Sequence, residues 1–152
     1  MSLLLGNPEA LAANKALLQK IVAEVDAETV LGALDIAITD WNHDALTVET
    51  EVSTRLFQHG GIVHGGVYVL LAESAASTAA ALCVDVTKHR VSGMEINANH
   101  LRSVTAGRLR AVATPIHRGK TTHVYAIEIT DGDGRLVSIS RCTMAIRGIP
   151  GV

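Results

Sequence analysis

The chain has 152 residues, 48% of them hydrophobic and 18% charged, with a formal net charge of −2. That supplies enough apolar side chain for one real core, and the low charge excludes a disordered chain. The near-neutral balance gives no electrostatic footing for nucleic acid or an anionic membrane.

In chain order, Asn7-Pro8-Glu9 reads as a helix start: a cap, a proline at the first helical position and an acid favoured by the dipole. Leu11, Leu17, Leu18, Ile21, Val22 and Val25 then form an apolar stripe to about Asp26. We treat residues 1–30 as an N-terminal helical extension and 31–148 as the main domain. Alternation of Leu34, Ile36 and Ile38, then of Leu46, Val48 and Val52, predicts two strands joined by a turn at Trp41-Asn42-His43-Asp44. A glycine-rich segment follows and leads into an apolar helix ending near Val84. Val67–Val84 is the best membrane-spanning candidate, but Glu73, Ser74, Ser77 and Thr78 interrupt it, so a buried helix of a soluble domain is expected.

Beyond the helix, Val91–Leu101, Arg108–His117, His123–Thr130 and Leu136–Ile146 read as strands. The turn at Arg118-Gly119-Lys120 and the hairpin signal Asp131-Gly132-Asp133-Gly134 separate the later ones. Such short connections imply antiparallel pairs. The expected fold is α+β: a curved antiparallel sheet of five or six strands wrapped around one long apolar helix. One sheet could hardly cover such a helix on both sides, so an oligomer is expected.

The chemistry concentrates before and inside that helix. In Val63-His64-Gly65-Gly66 the glycines permit close backbone approach, and the first helical N–H groups lack internal partners. With the helix dipole behind them, those donors suit a polarised carbonyl or an oxyanion. Glu73 stands roughly 10 Å further along the axis, and Ser77 shares its face at i+4. Gln58 lies six residues before His64, where it could align water or a carbonyl. These are parts for acyl transfer or hydrolysis. A solvated Glu and a plain Gly-Gly turn is the simpler reading, but the helix offers no charged face for Glu73 to belong to.

Other patterns lead nowhere. His59 and His64 lack any zinc motif. Gly119-Lys120-Thr121 ends like a phosphate loop, but Thr114 occupies the place of the leading glycine. No serine sits in a nucleophile elbow. Cys83 and Cys142 have no disulfide spacing, which fits a reducing, cytoplasmic setting, and no basic region marks a signal peptide. His100 reads as a strand residue near the site rather than a base.

Gln58-x5-His64-Gly65-Gly66-x6-Glu73-x3-Ser77 resembles the hotdog-fold acyl-CoA thioesterases of the phenylacetate-pathway and 4-hydroxybenzoyl-CoA type. The resemblance runs from about Leu31 to Arg147 and includes Glu95-Ile96-Asn97-Ala98-Asn99-His100-Leu101-Arg102 and Arg118-Gly119-Lys120-Thr121-Thr122. It implies that the Gly65 N–H polarises the thioester carbonyl and that Glu73 acts as nucleophile or general base across a subunit interface. Gln58 and His64 would orient the carbonyl and leaving thiolate, while Ser77 would hold the water or the carboxylate. Arg102, Gly119, Lys120, Thr121 and Arg147 resemble positions that bind coenzyme A. One departure is His59-Gly60-Gly61, where the family more often carries a bulky residue. The implied reaction is hydrolysis of a medium-chain or aromatic acyl-CoA, with no metal and no cofactor besides the coenzyme A of the substrate. The implied assembly is a homodimer at minimum, paired further into a tetramer. A hydroxyacyl-thioester dehydratase and a non-catalytic acyl-CoA binding domain are the alternatives.

Overall fold

The computed structural model describes residues 12–16, 19 and 28–151. Residues 12–16 and 19 are helical, in line with the expected N-terminal helix. The expected start at Asn7-Pro8-Glu9 and end near Asp26 lie outside the described residues.

A short helix, α1 (Val30–Ala33), begins at Thr29, whose side chain accepts from the Gly32 N–H. It corrects the expectation of a strand through Leu34: Leu34 closes the helical turn, and Asp35 reverses the chain at φ 51°. An aspartate tolerates that left-handed conformation better than most residues do. The strand β1 (Ala37–Trp41) therefore starts later and pairs antiparallel with β2 (Leu46–Glu51). Asn42 builds the turn between them, its Oδ1 accepting from the Asp44 and Ala45 N–H groups. A single 3-10 turn at Thr54–Leu56 leads to the glycine segment and to α2 (Gly65–Leu82). The strands β3 (His89–His100), β4 (Arg108–Arg118), β5 (Thr122–Thr130) and β6 (Leu136–Gly148) complete one sheet of order β1-β2-β4-β5-β6-β3. Every pairing is antiparallel.

The inner face carries the alternation read from sequence. Leu109, Ala111 and Ala113 of β4, Tyr125, Ile127 and Ile129 of β5, and Cys142, Met144 and Ile146 of β6 are buried. Ala72, Ala75, Ala76, Ala79 and Ala80 turn toward them from α2, and the small side chains let the helix sit close to the sheet. Packed against β2, β3, β4, β5 and β6, α2 lies in the curl of the sheet, which is the hotdog arrangement.

Two features matter for the site. Within one chain α2 is covered on one side only: Gly66 is exposed, and Leu70, Glu73 and Ser77 on the same stripe are half-buried. Its open stripe is uncharged apart from Glu73, so it could not be told by hydropathy from the buried one. Second, β3 is an edge strand of 12 residues, none of them buried, with Met94 60% exposed at a bulge between Gly93 and Glu95.

Candidate active site

The start of α2 is where the sequence places its donors, and the hydrogen bonds there can be followed one by one. The chain enters with the His64 N–H donating to the Leu56 carbonyl at 2.8 Å. His64 is the N-cap, and its Nδ1 accepts from the Gly66 N–H at 2.8 Å. The Val67 N–H donates to the His64 carbonyl at 2.9 Å. The Gly65 N–H has no acceptor among the described residues. An open N–H at the positive end of an 18-residue helix is suited to a carbonyl oxygen.

Gly65 opens into a cavity of about 270 Å³ that Gln58, Tyr68, His100 and Arg102 also line. The Gln58 Oε1 accepts from the Gly60 N–H at 2.6 Å, which leaves the amide hydrogens on Nε2 to donate. A Cβ on Gly60 would lie 2.8 Å from that Nε2, so the extra His59-Gly60-Gly61 makes room for the folded-back Gln58. Tyr68 is buried beside His100, with ring centroids 5.1 Å apart; burial raises its hydroxyl above the ordinary range.

Glu73 does not line this cavity. Its Oε1 instead lies against the edge strand, 2.1 Å from where a Cβ on Gly93 would sit. Cys142 of β6 registers the same carboxylate: burial, then Glu73 and Glu95, push its thiol up to about 11. Ser77 was expected to hold water or the carboxylate; its hydroxyl donates to the Ser74 carbonyl at 3.2 Å, within its own helix. His64 was expected to orient the carbonyl and thiolate, and it is found capping α2, outside the cavity.

The five residues assigned to coenzyme A divide between two ends of the sheet. Arg102 follows β3 and donates to the Leu136 carbonyl at the start of β6. Gly119, Lys120 and Thr121 form the β4–β5 turn, in which the Gly119 N–H donates to the Thr122 carbonyl at 2.9 Å. Ile146 donates to the Thr121 carbonyl at 2.9 Å, which puts Arg147 beside this turn. Between Leu136 and Arg147 β6 extends for about 36 Å at about 3.3 Å per residue, so one chain does not gather the set.

Sequence reasoning missed Gly93, read Gly60 only as part of a departure from the family, and set His100 aside. A glycine inside a strand pattern is the available signal for the first, since it marks a bulge or a close approach. Among the described residues no cluster of histidine, cysteine or acidic groups could hold a metal ion.

A family model described as the thioesterase superfamily matches residues 60–138. A Pseudomonas aeruginosa protein named as an esterase is 43% identical over 118 residues, 78% of this chain and 81% of the relative. Its crystal structure, a thioesterase variant with alanine for one glutamine, superposes with a TM-score of 0.82 at 38% identity, over 86% of this chain and 94% of that one. The 1,4-dihydroxy-2-naphthoyl-CoA hydrolase of Escherichia coli is 44% identical over 117 residues, 77% of this chain and 85% of the relative. A Staphylococcus aureus protein is solved as two single-alanine variants, each 35% identical, with TM-scores of 0.78 and 0.76. They cover 80% and 78% of this chain and 100% and 98% of those chains. The glutamate replaced in one and the glutamine replaced in the other stand fifteen positions apart, the separation of Gln58 and Glu73 here.

Proposed function

This chain belongs to the thioesterase superfamily and is a thioester hydrolase, and we propose that it cleaves coenzyme A thioesters of an aromatic or medium-chain acid at a site shared between two subunits. The observation that carries the reading is the separation of the parts. Gly65 and Gln58 open into one cavity while Glu73 faces the edge strand at Gly93. A second copy docked in two-fold fashion along β3 would cover the open stripe of α2 and bring Glu73 of the partner subunit toward the carbonyl. The same operation runs the two β3 strands antiparallel. Arg102 of one subunit then approaches Lys120 and Arg147 of the other, a basic rim suited to the phosphates of coenzyme A.

In this reading the thioester oxygen accepts from the Gly65 N–H and the Gln58 amide, and negative charge develops on it as an oxygen attacks the carbonyl carbon. Glu73 of the partner subunit either takes the proton of the attacking water, or attacks first itself to form a mixed anhydride that water then cleaves to the free acid and the restored carboxylate. In both routes the C–S bond breaks with its electron pair on sulfur, and the thiolate leaves without a strong acid because a thiol, with a pKa of about 8.5 for free cysteine, is far more acidic than an alcohol.

The test is release of free thiol from a panel of acyl-CoAs. Glu73→Ala should lower kcat at least a thousandfold without unfolding the chain, and equal rates would end the mechanism. Co-expressing Glu73→Ala with Gln58→Ala tests the shared site. A mixed dimer has one site with both groups and one with neither, so random pairing restores about a quarter of the wild-type rate. No restoration would place both groups in one subunit's site.

A further inference from the structure

We infer that His100 is a specificity-determining residue, its Nε2 held beside Gly65 as a hydrogen-bond acceptor for a donor that the substrate carries next to its thioester carbonyl. The inference rests on the thioesterase reading and names a feature of the substrate.

His100 closes β3, opposite Ser138 of β6. Ser138 is fully buried, and its hydroxyl donates to the Asn99 carbonyl at 3.2 Å. With its one proton donated to the Asn99 carbonyl, the Ser138 oxygen is left to accept from the His100 Nδ1, 3.0 Å away. The proposed tautomer of the neutral ring thus has its proton on Nδ1 and a lone pair on Nε2. Tyr68 packs on the ring at an interplanar angle of 44° and holds its plane. A Cβ on Gly65 would lie 2.9 Å from Nε2, so the absence of a side chain at Gly65 is what admits the ring over the first residue of α2.

The juxtaposition constrains what binds. The Gly65 N–H donates to a carbonyl oxygen, yet the lone pair of Nε2 repels that same oxygen. The contact becomes favourable when an O–H or N–H adjoins the carbonyl. Two parts of a thioester can supply one: a hydroxyl on the acyl group beside the carbonyl, or the nearest amide N–H of the leaving arm. His64 is the opposite case, since its Nδ1 accepts from Gly66 and its neutral ring carries the proton on Nε2. The two rings near the start of α2 would then hold opposite tautomers.

Matched substrates separate the sources. Benzoyl-CoA against 2-hydroxybenzoyl-CoA isolates the acyl hydroxyl. Benzoyl-CoA against the benzoyl thioester of a plain alkanethiol, each also measured with Arg102→Ala to discount the phosphates, isolates the amide. In one of these pairs wild type should favour the donor-bearing member by about ten- to a hundredfold in kcat/KM. His100→Leu should bring that ratio to within about threefold of unity, and His100→Gln, which can present an acceptor oxygen, should recover part of it. The imidazole ¹⁵N shifts at about pH 8.5, where a free imidazole is neutral, should report the Nδ1–H tautomer, and Ser138→Ala should erase that preference. A ratio unchanged in His100→Leu, or an Nε2–H tautomer in wild type, overturns the inference while thiol release stands. No thiol release from any thioester removes the thioesterase reading and this inference with it.

Discussion

Gly93→Ala tests the placement of the carboxylate more sharply than removing it. The new Cβ would lie 2.1 Å from the Glu73 Oε1 and 3.1 Å from its Cδ. Carbon and oxygen need about 3.2 Å or more when not bonded, so the carboxylate must retreat by about 1 Å. It can do so at little expense in stability, because it is the far end of a flexible, half-buried side chain. Gly93 is not among the glycines with positive φ, so alanine fits the backbone and narrows the unfolded ensemble, worth about 0.4–1 kcal/mol in favour of folding. The expectation is an unchanged or slightly raised Tm with kcat lowered about a hundredfold, the penalty typical of a 1 Å misplacement of a reacting group. Thiol release measures the rate, thermal unfolding followed by circular dichroism measures stability, and sedimentation shows whether association at the β3 edge is retained. A folded, normally associated Gly93→Ala protein with kcat within about threefold of wild type would refute the idea that Glu73 must rest against Gly93 to work.

Stability should fall on mild acidification because of His123. The ring is fully buried, neither nitrogen has a hydrogen bond of good geometry, and burial, with Arg118 nearby, lowers its pKa to about 4; the Gly119 carbonyl offsets only part of this. The unfolded chain binds this proton below about 6.5 and the folded one only below about 4, so stability present above 6.5 is lost as pH falls toward 4. Urea unfolding should show about 2 kcal/mol lost between pH 7.5 and 5, and His123→Leu should flatten that slope. An equal slope in the variant would assign the loss to other groups. Both thiols should resist a thiol-reactive disulfide dye at pH 8 in the folded protein and react once it is unfolded, since Cys83 and Cys142 are buried and burial raises both. Fast labelling of the native protein would contradict that. Arg102→Ala and Arg147→Ala should each raise KM about tenfold with kcat within about twofold, as expected for groups that hold a remote part of the substrate. A collapse in kcat would move them into the reacting centre.

The sequence by itself determined the elements and their order. Period-two runs such as His123–Thr130, the Asp131-Gly132-Asp133-Gly134 hairpin and the glycines before α2 are local signals, decided by backbone geometry within a few residues. The open Gly65 N–H was legible on the same footing, because any helix start leaves donors unpaired. What lay beyond reach depends on which distant strand faces which side chain. That Glu73 rests on Gly93 follows from how α2 packs on β3, and that Ser138 lies beside His100 while Arg102 and Arg147 stand at opposite ends of β6 follows from the β3–β6 register. The first turn of α1 and the capping role of His64 escaped for another reason: each is a choice between nearly equal local conformations, settled by single hydrogen bonds at Thr29 and Gly66. Hydropathy also could not divide the alanine-rich α2 into a buried and an open stripe. That division belongs to the sheet, which covers only one side of the helix, and it leaves Glu73 on the side where a second subunit is proposed to dock.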